Sequence, residues 1–226
     1  MVRPPPRGYR RHKTGGSCVT FKLGLTGSIG MGKSTTAQMF ADLGCALWDA
    51  DAAVHRLYGE NGAAVAPIGA VFPQAIVDGA VSRDALRKII GMSPDALAQI
   101  EKIVHPLVAA DRIRFLYETK ADIVVLDIPL LFETGADKMM DAVACVSISA
   151  EEQEKRVLAR GTMTAEQFAQ IKAKQMPNEE KTARSDYVIE TDTLEHARRQ
   201  VQSILKTIRE QLDHARNRSG YRNNRV

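Results

Sequence analysis

Five short apolar runs punctuate the chain: FKLGLTG (21–27), CALWDAD (45–51), ADIVVLDIP (121–129), AVACVSIS (142–149) and SDYVIET (185–191). Stretches of helical spacing lie between them, so the pattern predicts an α/β fold whose parallel sheet is covered by helices on both faces. The interval 54–120 breaks this rhythm. It has no convincing strand, but Leu86, Ile89 and Ile90 follow Ser82 at helical spacing, and SPDALAQIEKIV opens with Ser93 as a cap and Pro94 at the first helical position. An all-helical insertion over about 54–120 is expected to project from the sheet. No repeat of solenoid period is visible.

The first run feeds a helix through an unusual loop. Gly27-Ser28-Ile29-Gly30-Met31-Gly32-Lys33-Ser34 satisfies GxxxxGK[ST] in the order strand, loop, helix. Backbone N–H groups must converge on phosphate oxygens at the positive end of a helix, and side chains would block that approach. Gly27, Gly30 and Gly32 clear the space, Lys33 neutralises the outer phosphates, and the Ser34 hydroxyl is placed for Mg²⁺, with Thr35 completing the loop. The pattern points to ATP or another nucleoside triphosphate and leaves the phosphoryl acceptor open. No guanine-reading NKxD and no LSGGQ-like signature is present.

Composition narrows the setting. At 226 residues and 44% hydrophobic, the chain can bury a substantial core. No stretch approaches the roughly 18 consecutive apolar residues of a membrane span, and the N-terminus has no apolar signal segment, so a cytoplasmic protein with no membrane partner is expected. Cys18, Cys45 and Cys145 are widely spaced and odd in number, which argues against disulfides and a zinc site and marks Cys45 and Cys145 as core thiols. The net charge of +4 sits at the ends: residues 1–18 and 214–226 hold nine basic residues and no acid, and removing them leaves −5. Both ends are expected to be disordered, so the charge gives no ground for a nucleic-acid partner. The oligomeric state is left open.

Three further carboxylates matter. Asp127 ends IVVLD, where it either reaches the metal through water or closes a strand in a turn. Asp49 and Asp51 stand at the carboxyl end of the second run, where open α/β sheets bind ligands. Alternation points both the same way if the strand persists, and a turn there would separate them. Each suits either a kinase orienting an acceptor hydroxyl or a helix cap.

From about residue 21 to 212 the chain resembles the dephospho-coenzyme A kinases. The resemblance rests on LGLTGSIGMGKSTTAQMFADLG (23–44), DAD (49–51), EKIVHPLV (101–108), VVLDIPLLFE (124–133), RVLAR (156–160) and SDYVI (185–189). It implies a P-loop kinase with a helical coenzyme A-binding insertion and a helical lid over about 151–184, within a domain spanning 19–213. The implied reaction is transfer of the γ-phosphoryl of ATP to the ribose 3′-hydroxyl of dephospho-CoA. Asp51 then matches the general base and Arg156 the arginine closing over the phosphoryl group, with Arg160 one turn later on adenine or phosphate. Arg83, His105, Pro129, Leu130 and Leu131 match substrate-side positions, with His105 equally able to cap the helix where Pro106 interrupts it.

The chain departs from the family pattern at Glu190-Thr191-Asp192-Thr193, where Asn-x-Gly is usual beside the adenine, and at Gly161 and Lys172 in the lid. Residues 1–18 lie outside the resemblance, and an initiation site downstream of Met1 would account for them. Rival readings are a kinase for a nucleoside or nucleoside monophosphate and a nucleotide-dependent regulator with a decayed site. The HPL-bearing insertion speaks against the first, and intact Lys33, Ser34, Asp51 and Arg156 speak against the second.

Overall fold

The computed structural model describes residues 20–223, and the expectation for residues 1–18 falls outside them. In chain order the elements are β1 (Phe21–Thr26), α1 (Lys33–Asp42), β2 (Ala46–Asp49), α2 (Ala50–Tyr58), α3 (Val65–Val71), β3 (Ile76–Val77), β4 (Ala80–Val81), α4 (Arg83–Met92), α5 (Ala96–Glu118), β5 (Ile123–Asp127), β6 (Ala142–Ser147), α6 (Ala150–Ala159), α7 (Ala165–Lys174), α8 (Asn178–Arg184), β7 (Tyr187–Glu190) and α9 (Leu194–Asn223). All five apolar runs are strands of one sheet, ordered β2-β5-β1-β6-β7. The registers joining β5 to β1, β1 to β6 and β6 to β7 are parallel.

The chain divides into two compact units, one formed by the residues up to Leu47 and from Lys120 onward, the other by Trp48–Thr119. The first has a core of Leu23, Leu25 and Phe40 packed with Ile189, Val201, Leu205 and Ile208. The apolar spacing of α9 supplies the last three of these, as an amphipathic helix against a sheet requires. Cys45 and Cys145 are both buried and free. Burial pushes each thiol up to about 11, partly opposed by Arg209 at Cys45 and by Lys181 and Ser185 at Cys145.

The helix α9 continues to Asn223, so the tail expected to be disordered from residue 214 is helical over residues 214–223. Each added residue brings one backbone hydrogen bond once a helix exists, and Arg216 pairs with Asp122 at 2.8 Å.

The second unit has its own core, in which Ile68, Phe72, Leu86, Ile89, Ile100 and Val104 pack together. It is not all-helical, because β3 and β4 form an antiparallel hairpin. Asp78 and Gly79 at its tip have φ of 49° and 75°, the left-handed pair that a two-residue hairpin turn demands. Ser82 caps α4 by accepting from Ala85 N at 3.2 Å. Ser93 does not cap the next helix: it closes α4, and α5 begins at Ala96 after a turn through Pro94 and Asp95. The helix α5 runs unbroken through Pro106.

Candidate active site

The loop between β1 and α1 is held from three sides within the first unit. Gln153 of α6 donates its amide to Ile29 O at 2.7 Å, Gln175 beyond α7 accepts from Ile29 N at 3.2 Å, and Thr191 beyond β7 donates to Met31 O at 3.0 Å. The neighbours are close enough to require glycine. A Cβ on Gly27 would lie 2.2 Å from Val146 Cγ2, and one on Gly30, at φ 80°, would lie 2.4 Å from Val157 Cγ2. The first-turn N–H groups of α1 have no partners within the helix, and Ser34 and Thr35 are exposed there.

Lys33, the first residue of α1, donates its ammonium to Asp127. Asp127 ends β5 opposite Leu25 of β1 and is 1% exposed, so its carboxylate is buried at the sheet's carboxyl edge. The residues following β5 are anchored in turn. Pro129 O accepts from Thr26 Oγ1 at 3.1 Å and from Lys181 Nζ at 3.3 Å. Lys181, fully buried in α8, pairs with Glu133 at 2.9 Å, and Glu133 also accepts from Met176 N at 3.0 Å. Burial raises the Glu133 pKa, but the hydrogen bonds from Met176 and Lys181 and the Lys181 charge outweigh it and hold the carboxyl below the usual range. Arg184 of α8 stacks over Phe132 at 4.5 Å.

Arg156 lies on α6, as the helical reading of RVLAR requires. Its guanidinium donates to Thr191 O at 2.9 Å and Asp192 O at 3.3 Å, and it pairs with Glu152 at 3.2 Å. Arg160 occupies the C-cap of the same helix and is exposed. Gly161 follows at φ 64° with open space around it, a left-handed stop for α6. Of the Pro-Leu-Leu run, Leu130 is exposed, whereas Leu131 is fully buried against Gly24 of β1.

The second unit holds the remaining candidates. The strand β2 stops at Asp49, whose carboxylate accepts from Ala52 N at 2.8 Å and caps α2. The two carboxylates therefore do not share a strand face, and Asp51 stands exposed in the first turn of α2. Arg83 begins α4 and lies 6.0 Å from the Tyr58 ring centroid. His105 is exposed on α5. Asp111 of α5 is buried and accepts from Trp48 Nε1 at 2.8 Å, Arg56 at 2.7 Å and Arg114 at 3.0 Å. Burial alone would raise its pKa, but these hydrogen bonds and the two arginine charges leave it lowered.

The model of the dephospho-CoA kinase family matches residues 21–196. The chain belongs to the dephospho-CoA kinase family. A dephospho-CoA kinase of Ruegeria pomeroyi is 70% identical over 197 residues, covering 87% of this chain and all of that relative. The corresponding protein of Cereibacter sphaeroides is 55% identical over 193 residues, covering 85% of this chain and 98% of the relative. The solved structure of TT1252 from Thermus thermophilus superposes with a TM-score of 0.74 at 33% identity, over 84% of this chain and 98% of that one.

Within this family framework, the residues that escaped sequence reasoning are Gln153, Gln175, Lys181 and Asp111. Each is a polar side chain in a helix-forming stretch rich in charge, and nothing in such a stretch tells which group turns inward. Thr191 did stand out as a departure from the family pattern, and it proves to be a bridge to the P-loop carbonyl at Met31.

Proposed function

We propose that this chain performs the reaction for which its family is named, ATP-dependent phosphorylation of dephospho-CoA to coenzyme A, the last step of coenzyme A biosynthesis. The observation that carries the reading is the 70% identity over 197 residues to a dephospho-CoA kinase, joined to a P-loop whose Lys33 is engaged by Asp127 at the end of β5. ATP is the donor. Its phosphates lie along residues 27–35, where the glycine-lined loop and the helix N-terminus offer N–H donors.

Magnesium fits the oxygen donors in this region. Ser34 would hold it directly and Asp127 through water, and no cluster of three acidic, histidine or cysteine side chains among the described residues makes a dedicated cage. That suits an ion held chiefly by phosphate oxygens. When bound, it offsets charge on the outer phosphates.

The acceptor's 3′-hydroxyl is oriented by Asp51, which accepts its proton as the oxygen attacks phosphorus in line with the departing ADP oxygen. Arg83, His105, Pro129, Leu130 and Leu131 shape the acceptor side. Arg156 and Arg160 act from a lid formed by about 151–184. Leaving its contacts at Thr191 and Asp192, Arg156 offsets charge on the transferring group. The protein acts in the cytoplasm on a small-molecule substrate. None of the described helices is long and apolar enough to cross a membrane.

The test measures ADP release from Mg·ATP with dephospho-CoA, AMP, adenosine, pantetheine phosphate or no acceptor. Turnover with dephospho-CoA alone, with coenzyme A identified by mass, is expected. Turnover with a different acceptor would overturn the substrate, and silence with every acceptor despite ATP binding would overturn the enzyme reading. Asp51→Ala is expected to lower turnover about a hundredfold or more while ATP binding persists.

A further inference from the structure

We propose that Asp111 is a positioning residue for Asp51, holding the strand-to-helix turn that carries it. The proposal rests on the reading of Asp51 as the acceptor-orienting base. The Asp51 side chain makes no hydrogen bond or ion pair among the described residues, so its placement comes from the backbone of the turn.

That backbone is gripped on either side by one carboxylate. Trp48, three residues before Asp51, is 2% exposed and donates its indole N–H to Asp111 Oδ1 at 2.8 Å. Arg56, five residues after Asp51, donates to the same oxygen at 2.7 Å. Asp111 Oδ2 accepts from Arg114 of its own helix at 3.0 Å, which sets the carboxylate plane. The Arg112 guanidinium lies 5.9 Å from the Trp48 ring centroid, confining the indole further. Between the two grips, Asp49 caps α2 at Ala52 N, so the turn has no slack at its centre.

Stability alone explains this arrangement poorly. Only the carboxylate leaves water, since the Arg56 and Arg114 side chains are 54% and 67% exposed, and ion pairs with exposed partners contribute little to stability. What the carboxylate supplies that a leucine does not is direction: two donors from separate elements must meet at one oxygen. The position of a reacting group matters steeply, since a shift of about 1 Å can reduce rate a hundredfold. An exposed, unpartnered Asp51 on a turn held in this way is a group kept free for a ligand and placed from behind.

The experiment compares Asp111→Asn with Asp51→Asn and the double variant by single-turnover kinetics and ATP titration. Asp111→Asn is expected to lower the transfer rate about tenfold to a hundredfold, with the KM for ATP unchanged. In the Asp51→Asn background the same substitution is expected to change nothing, because the group it positions is gone. Equal losses in both backgrounds, or a loss confined to the KM for ATP, would overturn the positioning role and leave Asp111 a structural residue. A full wild-type rate for Asp51→Asn would overturn the base reading and this proposal with it, a result distinct from equal losses. If Asp111→Asn fails to fold, Trp48→Phe removes one donor while keeping the aromatic ring. A severalfold loss only where Asp51 is intact is again the expected result, and equal losses again overturn it.

Discussion

Thr26 and Lys181 donate to the same acceptor, the carbonyl oxygen of Pro129, at 3.1 and 3.3 Å. Thr26 is the last residue of β1, directly before the P-loop, and Lys181 belongs to α8. One peptide oxygen beyond β5 therefore joins the nucleotide loop's strand to α8. The ammonium that makes this join is fully buried and is balanced by Glu133.

Removing that ammonium leaves Glu133 short of its counter-charge. Lys181→Met is expected to lower unfolding free energy by about 2 kcal/mol, because a partly buried carboxylate loses its cation. Adding Glu133→Gln should recover part of the loss. Denaturant unfolding of the two singles and the double measures the coupling, and a double variant no more stable than Lys181→Met would show that the pair is not the source.

The same pair gives stability a pH dependence. The Glu133 carboxyl is held below its ordinary value of 4.5 in the folded chain, so the folded state binds this proton less readily than the unfolded chain does. Its contribution is complete above the ordinary value and is lost as pH falls through the lowered one. The stability gap between wild type and Glu133→Gln should therefore hold from neutral pH down to about pH 5 and shrink below it. Thermal unfolding across acidic buffers would expose a gap of constant size, contrary to this account.

Gly30→Ala meets two obstacles, a φ of 80° and a Cβ position 2.4 Å from Val157 Cγ2. It should weaken ATP binding by about tenfold or more, as the loop moves off α6. Pairing it with Val157→Ala removes the contact but not the backbone strain, so binding should return only in part. Calorimetric titration of both variants with ATP distinguishes a distorted loop from one that tolerates the methyl.

Lys33→Ala should act on ATP use directly, lowering turnover about a hundredfold or more while the KM for dephospho-CoA changes little. Steady-state kinetics with each substrate varied in turn provides the check. An effect confined to dephospho-CoA would place Lys33 on the wrong side of the reaction.

Cys45 and Cys145 should resist alkylation in the native protein. With both thiols near 11, roughly one in a thousand is ionised at pH 8, and burial denies access to the rest. Iodoacetamide labelling with peptide mapping should mark both only after denaturant is added. Rapid native labelling of either would contradict its burial.

Much of the sheet was legible because strands buried on both faces are uninterrupted apolar runs, as in IVVLD and AVACVS. The P-loop was legible because glycine spacing and a following lysine have a mechanism behind them. The β3–β4 hairpin was missed although Asp78-Gly79 is a strong turn signal, because its strands are only two residues each and offer no alternation to count. The sequence leaves open whether Asp49 and Asp51 share a strand or part at a turn, and only the cap at Ala52 N shows where the helix begins. Lys181 sits among NEEKTAR, a segment whose composition reads as solvated surface, and Asp111 is followed by Arg112 and Arg114, which equally suggest an exposed face. In both cases the buried partner is far away in sequence, which local pattern does not encode. The polar end of α9 failed for the opposite reason: it adds no apolar period, yet continues a helix already paid for upstream.

The sheet order also has a consequence for how the protein is made. The strand β1 lies between β5 and β6, with Phe21 opposite Ile123 and Leu23 opposite Ala142. During synthesis β1 leaves the ribosome first and waits for both of its neighbours, while Trp48–Thr119, a contiguous unit with its own core, emerges complete between them. Chain translated early thus becomes the middle of the sheet late, once the strands on both sides of it have been made. The nucleotide loop, which hangs from β1, takes its shape only in the second half of translation.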